Sequence, residues 1–461
     1  MKKILPILLV VLLIPAGSVF AFNQVNARAL AMGGAQTTLS KGVQTIGWNP
    51  AFMAFDDNPA ISIYTPLFNF GFRLSNDFVS LNTVNDYFED GRYLDEAAKD
   101  DLLSEIDGSS WDFYTDFYLP VFAISFPTEY INMAISYDVG VSMDWQFSKE
   151  FVEIAFKGNS IDNLGQRRDF SDTGSRAQIA SRIGLTFAKS FHELPDLDWM
   201  NQLTTGFTFN YFIGHGFGDV INAEGYILSD VGVFEGVGII ETVNGGITGT
   251  KEDSIDFDPF AGNGVGLDLG VGAKLLDNKL TVGISIINLI NEIQWRDVQH
   301  RIYSYKMSEP PNIDGLNNLP QWFDDNMELV DTLLSETEDF TTEMPQVLHL
   351  NGGYELRSDL HLAANARFGL NDAAGGSKQA RVGFGAEWHT LKSFPLRAGM
   401  SIGGRGGFSY GMGFGLHQGF WHTDIGWAWE RGFLNSANGI HLAFRTTFFF
   451  GKPEKPGVDI R

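Results

Sequence analysis

Met133-Ala134-Ile135-Ser136-Tyr137-Asp138-Val139-Gly140-Val141-Ser142-Met143-Asp144-Trp145 carries an apolar or aromatic side chain at every odd position. The even positions hold Ala134, Ser136, Asp138, Gly140, Ser142 and Asp144. Successive side chains of a β-strand point to opposite faces, so a period of two makes one greasy face and one polar face. The run is longer than the ~9–11 residues a tilted strand needs to cross a bilayer. A strand buried on both faces would not set two aspartates on one side.

The same rhythm continues outward from this stretch. Residues 61–75 and 111–126 precede it as strands; 151–156, 177–189 and 203–213 come after it. Segment 214–258 is rich in glycine and reads as one or two strands and a loop. Then Leu267, Leu269, Val271, Ala273 and Leu275 alternate with Gly266, Asp268, Gly270, Gly272 and Lys274. Asp277-Asn278 turns the chain, and Leu280, Val282, Ile284 and Ile286 run back. A tight turn between two long strands is the hairpin of a barrel's short-turn rim. From 346 to 450 strands recur at nearly regular intervals. Their polar faces carry His349, Asn351, His361, Asn365, Arg367, Arg381, Glu387, His389 and Arg397. The rhythm adds up to about fourteen strands.

Two long excursions interrupt the strands. In 76–110, Leu94, Ala98, Leu102 and Ile106 recur every four residues, the spacing of one helical face. In 308–343, Phe323, Met327, Val330 and Leu334 fit another such face, with acidic residues opposite. Both belong on the external side of a barrel, where loops are long.

Apolar rows are satisfied equally by a soluble core or by lipid, and pattern alone does not choose. Three features favour lipid. Residues 1–21 read as a signal peptide, with Lys2 and Lys3 before an apolar run and Val19-Phe20-Ala21 as the cleavage site. The strands are long enough to span. Trp145, Trp295, Trp388 and Trp421 lie near strand ends, as in an interfacial aromatic belt. No later stretch reaches the ~20 continuous apolar residues of a helical span.

The formal charge is −24 among 461 residues, and no basic cluster could neutralise phosphates, which argues against nucleic acid as a partner. Acidic residues gather in the loop segments; divalent cations could bridge them to lipopolysaccharide, though a solvated surface is the simpler reading. With 0 cysteines there is no disulfide and no thiol chemistry.

Between the signal and the first strand lie Arg28-Ala29-Leu30-Ala31-Met32-Gly33-Gly34-Ala35 and Trp48-Asn49-Pro50-Ala51. Small residues allow close backbone packing and Asn-Pro marks a turn. The segment is too short for a domain and too apolar for a free tail, so it reads as a plug inside what the rest of the chain builds. These residues resemble the N-terminal hatch of the FadL-type outer-membrane transporters of hydrophobic compounds. That resemblance implies a fourteen-stranded barrel enclosing the hatch, with ligands leaving sideways into the membrane. Some members of the family serve protein secretion instead.

The expectation is therefore an all-β, transmembrane antiparallel β-barrel in the outer membrane of a two-membrane bacterium. Its parts are a signal peptide (1–21), a hatch (22–58), a barrel (59–450) with helical excursions at about 76–110 and 308–343, and a short tail (451–461). The resemblance implies passage of small hydrophobic molecules, fatty-acid or hydrocarbon-like; the alternative is a scaffold for a secretion or surface partner. Met32, Gly33, Gly34, Trp48, Asn49 and Pro50 are candidates for hatch and gate. Leu94, Leu102, Phe323 and Met327 are candidates for ligand capture.

Other clusters weigh less. His349, His361 and His389 have a metal-binding side chain, but nothing in their spacing makes them converge. Gly403-Gly404-Arg405-Gly406-Gly407 lacks the Lys-Ser/Thr and helix of a phosphate loop and reads as a turn. Asp56-Asp57 and Asp256-Phe257-Asp258 lack calcium-loop spacing. No Gly-x-Ser-x-Gly elbow is present. Catalytic, metal and cofactor residues are accordingly not assigned.

Overall fold

Antiparallel strands with one greasy face lose their exposed edges only by closing into a ring. Here the last strand pairs the first, with Ile61 opposite Phe450 and Phe72 opposite Leu442. The computed structural model describes residues 26–451 except 89–94, 105, 107–109, 158–163, 172, 193–198, 232, 250–254, 308–326, 338–339 and 392. The signal peptide, the tail beyond 451, Leu94 and Phe323 lie outside the described residues.

The wall is a closed barrel of 14 antiparallel strands. Strand β1 is Ile61–Tyr64 continued by Phe70–Asn76. β2 is Ser110–Pro127, β3 Asn132–Ser148, β4 Gly174–Phe191 and β5 Met200–Asp230. β6 is Gly262–Leu275, and β7 is Leu280–Ile287 continued by Glu292–Trp295. β8 is Val347–Arg357, β9 Leu360–Gly369, β10 Arg381–Leu391 and β11 Phe394–Gly403. β12 is Ser409–Gln418, β13 Trp421–Glu430 and β14 Gly439–Phe450.

One rim carries tight turns, among them Leu276–Lys279, where the chain reverses between β6 and β7. The opposite rim carries the excursions. β1 breaks at 65–69, and there the Asn69 side chain substitutes for a strand neighbour. Its amide donates to Thr446 O at 3.0 Å, and its oxygen accepts from Thr446 N at 2.9 Å.

The excursions only partly follow the helical reading. Among the described residues the helices are α1 (Ala27–Ala31), α2 (Leu81–Phe88), α3 (Glu96–Ser104) and α4 (Lys149–Lys157). Helix α3 falls where the first apolar stripe placed one. Its Leu102 is 1% exposed, packed with Phe78, Leu103, Ile106 and Val152, and so presents no open face for capture.

Two readings need correction. Residues 151–156 are helix, not strand. Phe-Val-Glu-Ile-Ala-Phe is too apolar to show either period, and Ser148 Oγ caps the helix by accepting from Phe151 N at 3.2 Å. Met327 opens a strand, Met327–Thr337, rather than a helix, and Phe340–Glu343 is a second short strand after it. The spacing from Val330 to Leu334 is even, so it suits one strand face as well as one helical face. Pairing with Val298–Met307 decides for the strand.

That pairing builds an outer sheet. The far half of β5 pairs with Val233–Gly245, this with Val298–Met307, and this in turn with Met327–Thr337. The glycine-rich segment 214–258 thus continues β5 and adds a return strand. Gly403 and Gly404 have φ of 90° and 66° in the reversal between β11 and β12, a turn as read from the sequence.

Candidate functional site

Burial along the strands is inverted relative to a soluble protein. In β3 the polar row is inside, with Ser136, Asp138 and Ser142 at most 1% exposed, while Ile135 is 41% exposed. In β5 Thr204, Thr208 and Asn210 are buried, while Phe207, Phe209 and Tyr211 face out. In β8 His349 and Asn351 are buried and Leu350 and Tyr354 exposed. Water cannot be the solvent of that outer face; hydrocarbon is. Trp388 and Trp421 are on this exposed face, but Trp295 is not: it is buried against Phe217 and donates to Thr342 Oγ1 at 2.8 Å.

Several buried charges inside the barrel are paired. Arg397 lies between Glu387 and Asp424, at 2.8 Å from the latter. Arg182 meets Asp138 at 3.0 Å. Arg73 meets Asp116 at 3.1 Å and Glu430 at 3.0 Å. His361 and His389 come within 5.8 Å of one another, whereas His349 sits beside Trp48, ring centroids 5.5 Å apart.

The segment 26–60 packs against this inner face. Asn26 caps α1, its Oδ1 accepting from Ala29 N at 2.9 Å. The backbone from Ala27 to Gly33 then crosses a band of wall glycines: Gly426 in β13, Gly411 in β12, Gly399 in β11, and Gly385 and Gly383 in β10. A Cβ on any of these would fall well inside van der Waals contact with the segment's backbone. Gly33 itself has φ of 62° and abuts Met400 O, so both its conformation and its space exclude a side chain. Arg28 reaches Glu387 at 3.1 Å and donates to Leu39 O at 2.7 Å.

A second contact lies across the lumen. Asn49 Oδ1 accepts from Ala51 N at 3.0 Å, capping a short 3₁₀ helix that Pro50 begins. Its Nδ2 donates to Val271 O at 3.1 Å and Ile284 O at 3.3 Å, partner residues in β6 and β7. Ser285 Oγ donates to Trp48 O. Gly206 and Gly270 leave the space that Pro50 and Asn49 enter. On the outer side of the same patch is an apolar groove of about 730 Å³, walled by Phe187, Phe207, Leu269, Val271, Ile284 and Ile286. At Gly206 and Gly270 only backbone separates the groove from Asn49 and Pro50.

The segment ends in a latch at the tight-turn rim. Asp57 bridges Lys41 at 3.2 Å and Lys274 at 2.6 Å; Asp56 meets His192 at 2.9 Å. Partial burial pushes the Asp57 carboxyl up, but Lys41 and Lys274 outweigh it and hold the pKa at about 2, below the usual 3.8. A depressed carboxyl stabilises above its unfolded pKa and loses that contribution only as pH falls through the folded value. The latch is therefore expected to hold from pH 7 to pH 4. A fluorophore attached through Ala60→Cys should keep its emission over that range and change with Asp57→Asn at neutral pH. A wild-type transition centred near pH 4 would show that the two lysines do not hold it.

Of the sequence candidates, Met32, Gly33, Gly34, Trp48, Asn49 and Pro50 thus all lie in the segment against the wall. Leu102 and Met327 are not brought near them. Sequence reasoning missed the wall glycines; the repetition of Gly385, Gly399 and Gly411 at one register across β10–β12 was the available signal.

A family model described as "Family of unknown function (DUF5723)" matches residues 50–424, most of the chain. The chain belongs to that family. No curated protein matches this DUF5723 chain. Among solved structures, the P. putida toluene transporter TodX aligns with 94% of this chain and 100% of its own, at 11% identity and a TM-score of 0.50. The Ralstonia pickettii toluene transporter TbuX aligns with 93% and 100%, at 12% identity and 0.49. A Pseudomonas aeruginosa FadL homologue aligns with 94% and 100%, at 12% identity and 0.48. At such identity the likeness is one of fold, and the fold of this DUF5723 chain is of the FadL type.

Proposed function

We propose that this DUF5723 chain is an outer-membrane channel for small hydrophobic molecules, with residues 26–60 as its hatch. The carrying observation is the double contact of Asn49, which ties the segment to Val271 and Ile284 directly behind the outer apolar groove. A solute entering from the long-loop side would meet the segment, displace it, and leave through the β5–β7 patch into lipid. Apolar burial at roughly 25 cal/mol per Å² supplies the affinity for such a solute. Each Asn49 bond to the wall is worth about 1 kcal/mol net, small enough to break in a working cycle.

Reconstituted vesicles test this. The wild-type chain is expected to bind octanol and to speed its entry over protein-free vesicles, and Asn49→Ala to raise that rate several-fold. No binding of octanol or toluene, with flux at the protein-free level, would end the channel reading. The outer sheet favours a second reading, a surface scaffold, because Met327–Thr337 is an edge strand among the described residues, with Val330, Leu333 and Leu334 exposed. Gentle extraction should then recover a partner that is lost when residues 298–337 are deleted; extraction without any partner removes this alternative.

A further inference from the structure

Two polar side chains break the greasy outward rows of neighbouring strands. In β4, Lys189 stands between Phe187 and Phe191; in β5, Thr205 stands between Leu203 and Phe207. Lys189 and Thr205 are direct cross-strand partners, so the two exceptions lie side by side on the lipid face. The outward pair toward the midplane is Phe187 and Phe207, with ring centroids 5.1 Å apart. The outward pair toward the tight-turn rim is Phe191 and Leu203. Lys189 thus has apolar neighbours on both sides, and its ammonium lies 5.6 Å from the centre of the Phe191 ring. Among the described residues it makes no ion pair. A lysine on the lipid face is unfavourable until its charge reaches a head group.

Both residues line the outer groove of about 730 Å³, and Lys189 is the charged one among its described lining residues. From the polar pair the groove runs along Phe207, Val271 and Ile284, all exposed. Its size falls within the ~300–1,000 Å³ of ordinary ligand pockets. An ammonium and a hydroxyl at the end of an apolar trough match a phosphate joined to an acyl chain. The depth selects the leaflet. Met200 pairs with Leu275 next to the turn Leu276–Lys279, so this end of β5 is at the tight-turn rim. Short turns of outer-membrane barrels face the periplasm, and that leaflet is built of glycerophospholipids. We propose that the groove is a binding site for one glycerophospholipid of that leaflet, its phosphate on Lys189 and Thr205 and an acyl chain along Phe207, Val271 and Ile284. The proposal goes beyond the channel reading and does not need it, because lipid retention is read without transport.

Native mass spectrometry on the full chain released from detergent micelles tests this, with a phosphatidylglycerol and the diacylglycerol of the same chains as probes. The phosphatidylglycerol should be retained about fivefold more, which is about 1 kcal/mol, the attraction expected of one lysine near a lipid surface. Lys189→Gln should remove that preference and leave diacylglycerol retention unchanged. Lys279→Gln, in the exposed turn after β6, should leave the preference intact. Val271→Trp, which fills the trough, should lower retention of both lipids. Equal retention of the two lipids by the wild type overturns the proposal, as does a preference that survives Lys189→Gln. A preference lost equally in Lys279→Gln is unspecific attraction and overturns it too. Retention untouched by Val271→Trp puts the chains elsewhere and has the same consequence. Folding of each variant is read from heat-modifiable mobility; should Lys189→Gln fail to fold, Lys189→Met takes its place.

Discussion

Arg397→Met should destabilise the barrel by about 3–5 kcal/mol, the loss expected when one partner of a buried ion pair is removed. The Arg397 side chain is 0% exposed and joins Glu387 in β10 to Asp424 in β13. Methionine fills much of the volume but leaves two carboxylates facing each other in the lumen. Arg28 and His389 still hold Glu387, and His417 holds Asp424 at 2.9 Å, so the barrel should close but unfold earlier. Urea unfolding in lipid vesicles, followed by tryptophan emission, measures the difference. Asp424→Asn in the same background should recover part of it by removing one orphaned charge; no recovery would mean that the loss came from packing and not from charge.

The second large effect concerns the hatch. Gly399→Val combined with Gly411→Val should expel residues 27–33 from their seat without breaking a strand pairing. Both glycines lie under backbone, Met32 above one and Leu30 above the other, so the new side chains have no soft neighbour to push aside. Overpacking of this kind costs typically 1–3 kcal/mol per site, and the hatch gives way more readily than a closed ring of ladders. Planar-bilayer recordings should show an ion conductance several-fold above that of the wild type, and protease should cut after Arg28. If both remain at the wild-type level, the segment is not seated on these glycines. Valine at Gly352, whose Cβ has open space, is the control expected to change neither.

Much of the wall is legible in the order of residues alone. The alternation at Met133–Trp145 and the hairpin across Asp277-Asn278 each form the strands that their period demands, because side-chain direction in a strand is set by covalent geometry. Elements outside the membrane are less legible. Residues 151–156 and 327–337 carry spacings compatible with either period, and their packing partners decide between helix and strand. Trp295 shows the same limit: near a strand end in sequence, it is enclosed by Phe217 and Phe340 packing that no local pattern announces.

By itself the amino-acid sequence determined which side chains share a face and that a small-residue segment precedes the strands. These properties come from local geometry and composition. Only the tertiary structure decided that the polar rows face inward, that glycines from four strands line up into a seat for Ala27–Gly33, and that Lys189 and Thr205 stand side by side. Each of those depends on ring closure and register, which bring together residues far apart along the chain, and no spacing within a single strand encodes them.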